Sequence, residues 1–194
     1  MSEPETDLVD HVVAQTRRER PDLDATTVEL LSRLTRAGRL VETATARSLA
    51  PYGVGLGEFW LLVALRRAGP PFRCSPSELH ATATVTSGAI SQQLERLERR
   101  KLVRRRPHPN DRRGVLVELT AAGRVVIDEA WAAHITRDEA LFSRLTPTQR
   151  RTLADLLRQV VLAAEAEKHM GTRSNPSRAA LDGSPVSRRD NQPA

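Results

Sequence analysis

Residues 75–119 read SPSELHATATVTSGAISQQLERLERRKLVRRRPHPNDRRGVLVEL, and the order of signals along them decides the fold. Ser75-Pro76-Ser77-Glu78 is a capping box with Pro at the first helical position, and it opens a short helix through about Ala81. A turn at 82–85 leads to Thr86, a good N-cap. From Ser87 to Lys101 the apolar residues Ile90, Leu94 and Leu97 recur at helical spacing, so this helix buries one face. Ser87, Gly88, Ser91, Gln92 and Arg96 are left facing out. Leu102 and Val103 begin an extended run to Arg106, and Pro107-His-Pro-Asn-Asp is a turn. Val115, Val117 and Leu119 alternate with Leu116 and Glu118, which predicts a strand over 114–119 and so a hairpin.

A short capped helix, a turn, a second helix and a basic hairpin follow the order of a winged helix-turn-helix. Charge agrees with this. Residues 95–113 hold nine Arg or Lys against three acids, an excess of six that equals the formal net charge of the whole chain. The positive field therefore has one main source, which suits a phosphate-binding surface better than a merely solvated face. Small polar residues at the start of helix 87–101 allow close entry into a major groove. There Gln92 suits adenine and Arg96 suits guanine or phosphate. Arg112 and Arg113 at the hairpin tip suit a narrow minor groove.

The flanks read as helices. Residues 5–19 predict a short helix with Leu8, Val9, Val12 and Val13 inward, broken by Pro21. From Thr26 to Leu49, Leu30, Leu34, Ala37, Val41, Ala44 and Ser48 step by four and three, a seam for helix pairing. Gly57–Arg67 is the next helix, with Phe59, Leu62 and Val63 on one face, stopped by Gly69-Pro-Pro. Thr120 restarts a helix to about Leu145, with Ile127, Trp131, Ile135 and Phe142 as packing residues. Thr146-Pro147-Thr148-Gln149 is a second capping box. The helix after it carries Leu153, Leu156, Leu157, Val160, Val161 and Ala164. The fold class is thus mainly α with a small β-hairpin wing. An N-terminal extension covers 1–24. The main domain covers 25–168, with the winged module at 56–119 and dimerisation helices at 25–50 and 121–168. The polar remainder, 169–194, predicts disorder. Apolar area on the two long helices beyond what one subunit covers predicts an obligate dimer.

Composition narrows the function. Hydrophobic residues make up 39% of the 194, enough for a core, but aromatics only 3%, so Leu, Val and Ala must fill it. The single cysteine, Cys74, excludes an intrachain disulfide framework and fits a reducing cytoplasm. No run reaches membrane-spanning length, and the acidic, polar MSEPETDLVD does not read as a signal peptide.

Residues 25–165 resemble the MarR family of bacterial transcription regulators. The matching segments are GEFWLLVALRRAG, SPSELHATATVTSGAISQQLERLERRKLVRRR and NDRRGVLVELTAAG. The last is the most specific. Asp111 and Arg113 meet the wing's Asp-x-Arg, and Leu119, Thr120 and Gly123 meet the Leu-Thr-x-x-Gly that follows. The resemblance implies a homodimer of intertwined terminal helices with two winged modules on a palindromic double-stranded operator. It implies Ser87, Gly88, Ser91 and Gln92 as base and phosphate readers, and Arg113 as the minor-groove residue oriented by Asp111. It also implies a repressor released by a small aromatic or anionic effector, bound between the dimer helices and the winged module. Trp60 and Arg39 are the ligand candidates near that hinge. No cofactor is implied.

Other motifs weigh less. Arg73 beside Cys74 would lower the thiol pKa and allow an oxidation sensor, against an incidental cysteine. The five histidines show no metal-pair spacing. Gly53-Val-Gly-Leu-Gly lacks the preceding strand of a dinucleotide loop. No nucleophile, base and orienting residue assemble, so an enzyme has no support. The competing function is a winged-helix protein that binds nucleic acid without sequence preference or effector control.

Overall fold

A computed structural model describes residues 6–82 and 87–173, excluding the side chains of 87–89, 112, 113 and 168–173. The expected turn at 82–85 and the Thr86 cap fall mostly outside the described residues. The chain divides into two units, 1–140 and 141–194.

In the first unit, α1 (Leu8–Glu19) is capped by Asp7 and packs on α2 (Ala25–Leu49), itself capped by Asp24. Val9 and Val13 are buried as expected, but Leu8 and Val12 are exposed, so only half of the predicted inward face is covered. Arg33 of α2 reaches back to Asp10 at 2.6 Å and Asp7 at 3.3 Å. The predicted seam of α2 is bare at Leu30, Leu34, Ala37 and Val41 and half-buried at Ala44 and Ser48. Only Thr45 and Leu49, near its C-terminus, are buried.

A single 3-10 turn and Gly53, at φ +64°, bend the chain into α3 (Leu56–Arg67). This is the central helix: Phe59, Leu61, Leu62, Val63 and Leu65 are all buried, and it contacts α2, α5 and α6. Then come β1 (Arg73–Cys74), α4 (Pro76–Thr82), α5 (Ser87–Arg99), β2 (Val103–His108), β3 (Asp111–Leu119) and α6 (Ala121–Glu139). Leu79, Ile90, Leu94 and Leu97 join one core with α3, Leu102, Val103, Val117, Leu119, Ile127 and Ala130.

The sheet has three antiparallel strands in the order β1-β3-β2, where the sequence suggested only two. The two-residue β1 is too short to show alternation. It is held at Arg73–Glu118 and Cys74–Val117, with the Leu119 N–H also donating to the Phe72 carbonyl at 3.0 Å. The turn expected over 107–111 shrinks to Pro109-Asn110, because Pro107 and His108 lie in β2 and Asp111 opens β3. A proline is tolerated there because β2 is an edge strand, where a missing donor breaks no inner rung.

Two sequence motifs have direct structural causes. Helix α5 ends with Lys101 in the left-handed region at φ 58°; its N–H donates to the Glu98 carbonyl, and Leu102 donates to Leu97. That is a Schellman end, which turns the chain straight into β2. Thr120, the N-cap of α6, accepts from the Gly123 N–H at 2.9 Å and donates to the Lys101 carbonyl at 2.8 Å. Its own N–H reaches the Leu102 carbonyl at 3.1 Å. Leu-Thr-x-x-Gly is therefore a staple joining β3, α6 and the end of α5.

Helix α6 stops at Glu139, short of the expected Leu145. Ile127 is buried and Trp131 partly so, while Ile135 and Phe142 are exposed, and the buried residue of that last turn is His134. In the second unit, the Thr146 capping box is present in both directions, with Thr146 N–H to Gln149 at 2.8 Å and Gln149 N–H to Thr146 at 3.3 Å. It opens α7 (Pro147–Arg173), five residues longer than the boundary expected at 168, and its side chains over 147–167 are all exposed. Residues 174–194 of the expected tail lie outside the described residues. No single helix among the described residues is long and apolar enough to cross a membrane.

Candidate nucleic-acid interface

The capping box forms at α4: the Ser75 N–H donates to Glu78 at 2.6 Å and the Glu78 N–H to Ser75 Oγ at 3.2 Å. Leu79 is buried, which anchors α4 beneath α5. With Ile90, Leu94 and Leu97 inward, Ser91 and Gln92 are exposed on the opposite face. Ser87 and Gly88 occupy the first turn of α5, though their side chains are outside the described set. So the exposed face near the helix start is small and polar, the shape a groove admits.

Much of the basic run proves to be committed within the protein. Arg96, expected to face a guanine or a phosphate, donates Nε to Glu58 Oε1 at 2.9 Å. Arg100 donates to the carbonyls of Gly53 at 2.7 Å and Tyr52 at 3.3 Å. The three arginines of β2 alternate sides, as strand residues must. Arg104 and Arg106 both reach Glu118 across the hairpin, at 2.6 and 3.5 Å. Arg105 turns the other way, to Glu98 of α5 at 3.1 Å. The Arg105–Glu98 pair ties the wing to α5, and together these pairs reduce the field that the bare count suggested. Arg99 and Lys101 are exposed and enter no ion pair among the described residues. Arg112 and Arg113 follow Asp111 into the first rungs of β3, beside the tip rather than in it; their side chains are not described.

Spacing did not reveal Glu58, Glu98 or Glu118, because ion pairs 7 to 38 residues apart that join different elements leave no local pattern. Glu58 alone carried a signal: it is an acid within the apolar run GEFWLLVAL, three residues after Gly55, whose N–H it accepts at 3.1 Å.

The two ligand candidates fall in different clefts. Arg39 lines one of about 430 Å³ between α1 and α2, with Leu8, Val12, Leu31 and Arg36. Trp60 lines another of about 380 Å³ with Val41, Glu42 and Thr45 of α2, Leu56 and Gly57 of α3, and Gln93 of α5. Phe59 and His134 meet the Trp60 ring edge-on, at 5.0 and 5.9 Å. Gln93 seats on Gly57, where a Cβ would stand 2.2 Å from its Nε2, and its Oε1 is buried with no hydrogen-bond partner among the described residues.

This geometry has close counterparts. The MarR family profile matches residues 52–114. The transcriptional regulator PecS of Dickeya dadantii is 31% identical over 162 residues, covering 84% of this chain and 94% of PecS. Sco3205, a MarR family regulator from Streptomyces coelicolor solved in complex with DNA, is 31% identical with a TM-score of 0.66, over 72% of this chain and 88% of that one. The chain belongs to the MarR family. BpsR of Bordetella bronchiseptica, whose structure concerns regulation of DNA binding by 6-hydroxynicotinic acid, is 28% identical with a TM-score of 0.60, over 66% of this chain and 89% of that one.

As a MarR-family protein it is a winged-helix, DNA-binding transcriptional regulator. Within that frame Cys74 is a half-buried free thiol in β1. Burial, with Glu78 nearby, pushes the thiol pKa up, opposite to the lowering expected from Arg73. No group of His, Cys, Asp and Glu among the described residues could hold a metal ion.

The wing's ion pairs also set a pH dependence. Arg104 holds the Glu118 carboxyl below the usual range, with Arg106 adding to it against partial desolvation. A depressed folded-state value means the stabilisation is complete above the unfolded value near about 4.3 and fades as pH falls through the folded one. Glu118→Gln should therefore lower the urea midpoint at pH 7, and by less and less below about pH 4. An equal difference at pH 7 and pH 3 would exclude the ion pair as the cause.

Proposed function

We propose that this protein is a dimeric repressor that reads a palindromic operator through α5 and the wing, and releases it when a small aromatic or anionic molecule enters the Trp60 cleft. The observation that carries the reading is the polar face of α5 at Ser91 and Gln92, opposite the buried Ile90, Leu94 and Leu97. Ser87, Gly88, Ser91 and Gln92 are the proposed readers, with Arg112 and Arg113 for the backbone and minor groove and Asp111 orienting Arg113. Arg96 leaves this set because Glu58 holds it. Bare apolar side chains on α2 (Leu30, Leu34, Val41) and α7 (Leu153, Leu156, Leu157, Val160, Val161) support a second copy as the partner.

Of the two clefts, the one at Trp60 suits an effector better. It touches the recognition helix through Gln93, offers an indole face and holds an unpaired amide oxygen, so a ligand there has a direct hold on α5. Arg39 lies in the other cleft, away from the winged module, and is not part of this proposal. The regulation of BpsR's DNA binding by 6-hydroxynicotinic acid, an aromatic acid, supports the ligand class.

Selection of bound duplexes from a randomised pool tests the reading. One enriched palindrome is expected; uniform recovery would favour the nonspecific nucleic-acid binder. On the enriched site Gln92→Ala should cost about 1–3 kcal/mol, with little change on scrambled DNA. Equal losses on both would make Gln92 a phosphate contact. Aromatic carboxylates that quench tryptophan fluorescence should also displace the duplex, and Trp60→Ala should abolish both effects.

A further inference from the structure

Gln93 and Arg96 of helix α5, and Arg100 just past its last residue, are spaced by three and four and face the corner where α2 turns into α3. At that corner lies the Glu58 carboxylate, its side chain only 8% exposed. One oxygen accepts Arg96 Nε at 2.9 Å; the other accepts the Gly55 N–H at 3.1 Å and lies 3.6 Å from Arg100. Arg100 is fixed again by the Gly53 and Tyr52 carbonyls. A buried carboxylate persists only where cations and donors satisfy it, and these two arginines and one amide do so. Both arginine side chains are partly exposed, 46% and 38%; Arg96 stands on α5 and Arg100 directly after its end.

We propose that Glu58 is a positioning residue that determines sequence specificity: by clamping Arg96 and Arg100 to the α2–α3 corner, it sets the roll of the recognition helix and withholds two cations from the DNA backbone. The inference rests on the reading of α5 as the recognition helix. Phosphate contacts add affinity without sequence information, whereas base contacts depend on how the helix is seated. Loss of the clamp therefore moves the two kinds of binding in opposite directions, which a purely structural role would not.

Glu58→Gln is the test, because glutamine keeps an acceptor for the Gly55 N–H while it removes the charge and replaces the oxygen that accepts Arg96 Nε with an NH2 donor. Binding is measured against salt on the enriched duplex and on a scrambled one. Affinity for the enriched duplex should fall roughly tenfold, the scale of one lost base contact. Affinity for the scrambled duplex should rise, with its log–log salt slope steeper by about one to two phosphate equivalents. Adding Arg96→Ala and Arg100→Ala should remove the extra slope without restoring specificity. A folded variant with unchanged affinities, or with both changed by one factor at an unchanged slope, overturns the proposal. If Glu58→Gln does not fold, Arg96→Gln opens the clamp from its exposed end. It must lower the ratio of specific to nonspecific affinity without steepening the slope, and an unchanged ratio overturns the proposal. If the native protein enriches no sequence, the reading of α5 is what fails; the slope on scrambled DNA still decides whether Glu58 withholds the arginines.

Discussion

Gly123→Ala should destabilise the protein by about 3–5 kcal/mol, although the same change in an ordinary helix gains up to about 1 kcal/mol. A Cβ at this position would stand 1.9 Å from the Leu102 carbonyl oxygen and 2.9 Å from its carbon. Both are backbone atoms, so no side chain can swing aside. Helix α6 would have to lift from the end of α5. The Leu102 carbonyl also accepts from the Thr120 N–H at 3.1 Å, and the Thr120 hydroxyl donates to the Lys101 carbonyl at 2.8 Å; both bonds would lengthen with it. Overpacking costs about 1–3 kcal/mol, and each strained hydrogen bond adds about 0.5–1.5 kcal/mol. For a chain of this size the sum corresponds to a fall in Tm of roughly 10 °C or more. Urea unfolding followed by circular dichroism measures it. A variant as stable as the parent would show that α6 does not approach Leu102 this closely.

Phe59→Ala should cost about 3–5 kcal/mol, the usual toll of a large buried ring. Phe59 is fully buried at the centre of α3, edge-on to Trp60 at 5.0 Å and to His134 at 5.1 Å. Its removal opens a cavity where α3 meets α2, α5 and α6. Phe59→Leu keeps most of the volume and should cost less than about 1.5 kcal/mol. Because the ring also props Trp60, the alanine variant should shift tryptophan emission even while folded. A loss under about 1 kcal/mol for alanine would mean that the core collapses into the gap and that Phe59 does not hold the cleft wall.

The two variants mark where sequence reading reaches and where it stops. Gly123 was legible as part of Leu-Thr-x-x-Gly and Phe59 as a core position of its helix. Neither the carbonyl that excludes a Cβ nor the ring's place against His134 was legible, since both depend on which segments meet. The same division runs through the interface. Ser91 and Gln92 could be placed outward because Ile90, Leu94 and Leu97 define the inner face within one helix. The same rule turns Arg96 outward toward DNA but does not show that Glu58, 38 residues earlier, holds it. The arginines of 104–106 read as free charge for the same reason. Strand β1 leaves no trace in the sequence because two residues carry no period, and the helical spacing turns Ile135 and Phe142 inward because a helix pattern does not say whether a neighbour arrives.

What the chain determined by itself is local. Caps at Ser75, Thr120 and Thr146 start helices because a hydroxyl or carboxamide meets free amides within three residues, and the apolar period of α5 chooses its face. The motif sequence also places the protein in its family, since hairpin, staple and recognition helix all lie within one continuous run. What only the tertiary structure decided is which charges are spent and which are offered. Electrostatic partners are chosen by distance in space, and the packing of α3 against α5, of α5 against β2 and of β2 against β3 brings three glutamates to five arginines. The cations left for DNA are those that this packing does not use.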